Sequence, residues 1–266
     1  MRSVQDLFSL KDRVAIVTGG RGLYGASISE ALAEAGATVV IASRNGEKCE
    51  ELAKSMREKG LSAVGMSVDL GSDESIRNFV DAVIAKYGKI DILVNNAVDR
   101  SNLASLRLAT REKLQDSMNI NLNGQLMLSQ AVLEHMVKAN SGSIINISSM
   151  RGLDCPHFPF YPEVMQEQSV NYTTEKWAME GMTKYMAGYY GKYRIRVNSI
   201  APGGYTPDIE KTEHGKAFSE KYIENCPLHC WANEDDIKGP VVFLASDASN
   251  YVTGATLVMD GGWTIW

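Results

Sequence analysis

Val14-Ala15-Ile16-Val17-Thr18-Gly19-Gly20-Arg21-Gly22-Leu23-Tyr24-Gly25 is the stretch on which the fold turns. A short run of β-branched and small apolar residues is followed by four glycines in eight positions, and then by an amphipathic segment, 27–35, that stops at Gly36. The order reads as strand, tight turn, helix. Glycines let a backbone turn sharply and come close to a pyrophosphate, whose charge would meet the free N–H groups at the start of the helix. The same glycines would also serve a purely structural turn. Their position after the first strand of a βα unit favours the nucleotide reading.

The rhythm continues outward from that unit. Short runs rich in Val and Ile at 14–18, 38–43, 62–68, 90–95, 143–148, 196–200 and 257–260 alternate with helical patterns. Strands of this kind are those buried on both faces, so the chain is expected to be α/β, with seven parallel strands and helices on both sides. Segment 73–87 opens with two acids at the positive end of a helix dipole and stops at Gly88. Leu114, Met118, Leu122 and Leu126 recur every four residues and predict one apolar helix face, and 171–192 predicts another long helix. Segments 150–170 and 202–233 have no clear period and follow strand ends, which is where open α/β sheets place their ligand crevice.

The 266 residues suffice for one core, with 44% hydrophobic and 22% charged side chains. Disordered, collagen-like and coiled-coil classes are thereby excluded. A net charge of −5 and the absence of a Lys/Arg-rich run argue against a nucleic-acid partner. No apolar run approaches the roughly 20 residues that span a bilayer, and residues 1–12 do not read as a signal peptide, so no membrane partner and a cytoplasmic location are expected. Cys49, Cys155, Cys226 and Cys230 are too few for a disulfide scaffold. Cys226, His229 and Cys230 are close in sequence but lack an evident fourth ligand, and no metal site is expected.

Three further positions bear on chemistry. The second strand ends at Ser43-Arg44, about 20 residues past the glycines, where an acid would grip the ribose 2′-hydroxyl of NAD. An arginine there, with Arg21 in the loop, suits a 2′-phosphate instead, so NADP is preferred, with NAD possible. Tyr172 and Lys176 share a helix face at i, i+4 spacing. That spacing arises by chance too easily to mean much alone. Its place carries the argument, because the helix follows a strand that ends at Ser148-Ser149. A phenol titrates near 10, and bringing it to neutrality corresponds to roughly 4 kcal/mol, which a nearby ammonium and a bound cationic nicotinamide would supply together.

Over essentially its whole length the chain resembles the short-chain dehydrogenase/reductase family. The marks are the glycine loop, Asp69, Asn95-Asn96-Ala97, Asn121, Ser149, Tyr172 with Lys176, and Asn198-Ser199-Ile200-Ala201-Pro202-Gly203. The C-terminal Asp247-Ala248-Ser249, Val252-Thr253-Gly254 and Asp260-Gly261-Gly262-Trp263 match as well. The resemblance implies a single-domain, doubly wound Rossmann-type fold with Tyr172 as general acid/base. Lys176 would hold the nicotinamide ribose, Ser149 would bond the substrate oxygen, and Asn121 would hold a relay water. Around the cofactor it implies Gly19, Arg21, Gly22, Leu23 and Gly25 at the phosphates and Ser43 and Arg44 at the 2′-position. It also implies Asp69 and Leu70 at the adenine, Asn95, Asn96 and Ala97 along the sheet, and the Pro202-Gly203 turn over the nicotinamide. A homotetramer is the usual assembly, with a dimer second.

Three departures stand out. Leu23 occupies a place usually held by glycine, Val98 replaces the glycine that completes Asn-Asn-Ala-Gly, and Ser149 and Tyr172 are unusually far apart. The last marks an active-site insert, 153–171, beside a substrate loop, 203–233. The insert and the Asp-Gly-Gly-Trp-Thr tail are similar to sugar-processing and gluconate 5-dehydrogenase-like members. The expected reaction is therefore interconversion of a secondary alcohol and a ketone on a sugar, polyol or sugar acid. Arg151 and His157 are candidate substrate contacts, with His214 behind them. Reduction of 3-oxoacyl or steroid-like ketones, and a cofactor-binding regulator without turnover, are the alternatives.

Overall fold

The computed structural model describes residues 1–165 and 167–265. Seven strands, β1 (Val14–Thr18), β2 (Thr38–Ser43), β3 (Ala63–Ser67), β4 (Ile92–Asn95), β5 (Gly142–Ile147), β6 (Ile195–Pro202) and β7 (Thr256–Met259), form one sheet. Their order is β3-β2-β1-β4-β5-β6-β7, and every pairing is parallel. The order reverses direction between β1 and β4, so a crevice opens there at the carboxyl ends.

Alternation along β1 shows why the strands read as unbroken apolar runs. Ala15 and Val17 face one layer with Ile28, Leu32 and Val241, while Val14 and Ile16 face the other with Phe79, Val132 and Met179. Both faces are dry, so every position is apolar. The first layer is built by α2 (Leu23–Glu34), α3 (Gly46–Glu58) and α9 (Lys238–Ala245), and the second by α4 (Asp73–Tyr87), α6 (Gln125–Ala139) and α7 (Val170–Tyr190). The remaining helices are α1 (Val4–Phe8), α5 (Arg111–Met118) and α8 (Glu213–Asn225). Gly88 ends α4 in the left-handed region at φ +75°, as its position predicts. Among the described residues no helix is long and apolar enough to cross a membrane.

One sequence expectation is corrected. The period from Leu114 to Leu126 does not run along one unbroken α-helix, although Leu122 and Leu126 pack against the core. A π-helical segment, Asn119–Gly124, joins α5 to α6, and the side that turns inward carries Ser117, Asn121 and Gln125. Met118 remains 40% exposed. A π segment rotates the residues that follow it, and such segments concentrate at functional sites.

The turn after β1 needs glycine for two separate reasons. Gly19 has φ +60°, and a β-carbon there would lie 2.8 Å from the Ala97 Cα. A β-carbon at Gly25 would lie 2.1 Å from the Gly19 carbonyl oxygen. Gly22, at the N-cap of α2, has an ordinary extended backbone and its nearest obstacle is 3.3 Å away. Gly25→Ala is therefore expected to lower stability by about 1–3 kcal/mol, the usual cost of overpacking, and Gly22→Ala by distinctly less. Urea midpoints of the two variants measured side by side check this ordering.

Candidate active site

At the carboxyl ends of β1, β4, β5 and β6 lies a cleft of about 580 Å³, lined by the glycine loop, Ser149, Tyr172, Lys176 and the Pro202-Gly203 turn. Its floor is a seam between β1 and β4. Thr18 Oγ1 donates to the Val94 carbonyl at 3.2 Å and accepts the Asn96 and Ala97 amides at 3.1 and 3.2 Å. Asn96 Nδ2 in turn donates to the Thr18 and Gly19 carbonyls at 2.9 and 3.1 Å. Asn96 thus acts first as the clamp of the glycine turn. Above it α2 begins at Gly22 with no side-chain cap, leaving its first-turn N–H groups without an intrahelical acceptor. Tyr24 Oη is also buried without a hydrogen-bond partner among the described residues, and burial raises its pKa. Uncapped donors and an orphaned hydroxyl along one cleft fit a polyanion such as a dinucleotide pyrophosphate.

A smaller recess of about 130 Å³ opens beside the loop between Ser43, Arg44, Asp69, Leu70, Ala97 and Asp99. Asp69 and Leu70, the residues expected at the adenine, both line it. Arg44 Nη2 lies 3.1 Å from Asp99 Oδ2 across it. Arg21 and Leu23 line the main cleft, and Leu23 is half exposed.

Ser169 caps α7 by accepting the Tyr172 amide at 3.1 Å, which fixes the start of the helix that carries the reactive pair. Lys176 Nζ lies 5.6 Å from the centre of the Tyr172 ring and donates to the Ile147 carbonyl at 2.6 Å. Burial pushes the Lys176 ammonium down from its ordinary value, and the negative forms of Tyr172 and Glu175 oppose that. Ser149 Oγ accepts the Arg151 amide at 3.1 Å and donates to nothing among the described residues, whereas Ser148 Oγ turns toward the Lys176 carbonyl at 3.4 Å. Ser149 is the serine with a proton to offer the cleft.

Asn121 is fully engaged with protein. Its Oδ1 accepts the Asp99 amide at 2.6 Å, and its Nδ2 reaches the Asp99 carbonyl and Glu175 Oε2, both at 2.9 Å. Glu175 also accepts from Ser117 at 2.6 Å and is almost wholly buried. Glu175 was not singled out in the sequence, because a carboxylate on a helix looks like surface until its neighbours are known.

A family model described as enoyl-(acyl carrier protein) reductase matches residues 21–264. A gluconate 5-dehydrogenase from Burkholderia cenocepacia J2315, solved in complex with NADP and tartrate, is 35% identical and superposes with a TM-score of 0.87 over 99% of this chain and 100% of that one. The D-threitol dehydrogenase of Mycolicibacterium smegmatis is 34% identical over 99% of this chain and 97% of its own length. The 3-oxoacyl-[acyl-carrier-protein] reductase of Aquifex aeolicus is 33% identical over 95% of this chain and 98% of its own. The chain belongs to the short-chain dehydrogenase/reductase family.

Within this short-chain dehydrogenase/reductase several expected roles shift. Asn95 does not line the cleft. Its side chain is sealed in the sheet, with Nδ2 donating to Asn146 Oδ1 at 2.9 Å and to Ser129 Oγ at 3.0 Å. Arg151 is 93% buried, since only 7% of it is exposed, and its guanidinium is spent on the Cys155 carbonyl and the Tyr161 hydroxyl. It is a strut of the insert and does not face the cleft. His157 is exposed, lies against Phe160 at 4.7 Å, and does not line the cleft either. Arg100, which the sequence did not mark, joins Arg21, Arg44 and Lys176 among the cations that line it. Cys226 is buried with its thiol toward Asp260 and Gly261, and His229 Nδ1 faces the Ile223 carbonyl; among the described residues no three His, Cys, Asp or Glu side chains converge as for a metal.

The insert, of which Gln166 lies outside the described residues, builds a wall with α8 and the C-terminal turn. Tyr161 stacks on Phe218 at 5.0 Å, Phe160 meets Trp263 edge-on at 5.2 Å, and Tyr222 is stacked between Trp231 and Trp263 at 3.9 and 4.6 Å. Tyr222 Oη accepts the Gly204 amide at 2.9 Å, which ties this wall to the turn over the cleft. Asn95→Ala is expected to cost about 1–3 kcal/mol by leaving buried polar partners unpaired, while the lining of the cleft is unchanged. A lower thermal midpoint with unaltered dinucleotide affinity is the result that checks it.

Proposed function

We propose that this chain is an NADP-dependent oxidoreductase that interconverts a secondary alcohol and a ketone on a sugar, polyol or sugar acid. The observation that carries the reading is the convergence of Tyr172, Lys176 and the proton-bearing Ser149 in one cleft with the uncapped start of α2. When bound, the dinucleotide supplies the hydride acceptor or donor. In the oxidative direction Ser149 donates a hydrogen bond to the substrate oxygen, Tyr172 takes the hydroxyl proton, and the carbinol carbon releases its hydride. In the reductive direction Tyr172 returns that proton to the oxygen. Lys176, held by the Ile147 carbonyl, has two further N–H donors for ribose hydroxyls and sets a positive charge beside the phenol. Asn121 contributes by clamping the backbone of Asp99 to Glu175 on α7, the helix that carries Tyr172 and Lys176.

Arg44 and Arg21 are the cations for the 2′-phosphate, and Ser43, Asp69, Leu70 and Ala97 complete the adenosine end. The relatives named for gluconate and D-threitol support a polyhydroxylated substrate, and Arg100 offers a carboxylate partner at the cleft. The insert and the 203–233 loop confer selectivity, the loop through Gly203 and Tyr205 in the cleft and the insert through the aromatic wall tied to it. The aromatic wall and the Aquifex relative keep 3-oxoacyl thioesters as the second substrate class. The assembly is a homotetramer: Trp177, Tyr185 and Tyr189 on α7 are 53%, 72% and 52% exposed, an apolar stripe that suits a second copy. The described cysteines are all free, as suits the cytoplasm.

Tyr172→Phe is expected to lower turnover by about 10²–10⁴ while dinucleotide binding is kept. Substrate screening of sugar acids, polyols, 3-oxoacyl thioesters and steroids, with NADP and NAD in parallel, should give the highest kcat/KM on a sugar acid or polyol with NADP. Best turnover on a thioester would reassign the substrate, and equal rates for Tyr172→Phe and the parent would remove the mechanism. Light scattering should report four copies, and Trp177→Glu should reduce that number.

A further inference from the structure

We infer that Asp99 sets how strongly this cleft prefers NADP to NAD, by holding the Arg44 guanidinium that a 2′-phosphate requires. The inference rests on the reading of Arg44 as the phosphate cation.

The two side chains meet across the adenine recess, Arg44 from the end of β2 and Asp99 from just beyond β4, with an N–O distance of 3.1 Å. They are not equally free to move. The Asp99 carboxylate accepts the Ser101 amide at 2.8 Å and the Ser101 hydroxyl, and its own backbone is gripped on both sides by Asn121. Its side chain is 10% exposed, against 67% for Arg44. Those Ser101 bonds, more than Arg44, hold the Asp99 carboxyl below the usual carboxylate range, so it stays charged at neutral pH. Arg44 is the mobile partner.

A 2′-phosphate carries a charge of about −1.5 to −2, as a phosphate monoester does. To use Arg44 it must draw the guanidinium off a fixed carboxylate. A ribose hydroxyl is neutral, makes no claim on Arg44, and can donate to that carboxylate. Asp99 therefore weakens binding of the phosphorylated cofactor and leaves the other nearly untouched. A fully exposed ion pair would matter little, but a nine-tenths buried carboxylate is poorly screened. The opposite action is physically available, since Asp99 could aim Arg44 at the phosphate and so strengthen its binding. The two actions differ in sign.

Calorimetric titration of NADP⁺ and NAD⁺, without substrate, separates them. Asp99→Asn keeps the shape and an acceptor for Ser101 while it removes the charge, and Asp99→Ser is the second variant; NAD⁺ affinity reports an intact cleft. Each is expected to tighten NADP⁺ by about 5- to 10-fold with little change for NAD⁺, the order of one partly screened close charge pair. In an Arg44→Ala background the gain should vanish. Weaker NADP⁺ binding, equal shifts for both cofactors, or a gain that persists without Arg44 would overturn the inference. Arg44→Ala alone tests the parent reading, because an unchanged NADP⁺/NAD⁺ ratio removes Arg44 as the phosphate cation. A ratio that falls with Arg44→Ala and stays put with Asp99→Asn removes only the role of Asp99.

Discussion

The closeness of two backbones at the top of β1 and β4 is the constraint on which the rest depends. Gly19 comes so near Ala97 that a β-carbon has no room, and Thr18 and Asn96 bind the two chain segments together on either side of that contact. The contact lies where the strand order reverses, so the chain leaves β1 and β4 in opposite directions and a crevice forms between their continuations. The start of α2 then faces that crevice with its N–H groups unspent, and α7 brings Tyr172 and Lys176 to its other side. Cofactor affinity and catalytic geometry thus share one mechanical origin.

A second thread is electrostatic. Ser117, Glu175, Asn121, Asp99 and Arg44 form a continuous polar chain from α7 to the recess beside Asp69. Each buried member is satisfied by the next, as low-dielectric surroundings demand. The chain crosses the π segment between α5 and α6, which is what turns Asn121 inward toward the Asp99 backbone.

The sheet was legible because strands buried on both faces are written as plain apolar runs, and each predicted strand overlaps an observed one within two residues at either end. That Tyr172, Lys176 and Ser149 share one cleft was legible from their order relative to those strands. Asn95, Arg151 and the face from Leu114 to Leu126 were misread for a common reason. Type and spacing say what a side chain can do, but its partners decide what it does. Asn146 and Ser129 take Asn95 into the sheet, and Tyr161 with the Cys155 carbonyl takes Arg151 into the insert. Glu175 and Asp99 had no periodic or motif signal, since Ser117, Asn121 and Arg44, which meet them, are distant in sequence.

The aromatic wall beside the cleft draws on three separated stretches: the insert supplies Phe160 and Tyr161, α8 and the loop after it supply Phe218, Tyr222 and Trp231, and the C-terminal turn supplies Trp263. It amounts to a miniature core outside the main one, and close-packed cores tolerate coordinated change better than piecemeal change. This wall therefore holds together as a block. A relative's insert transplanted without its matching α8 and tail would arrive without the surface that shapes it.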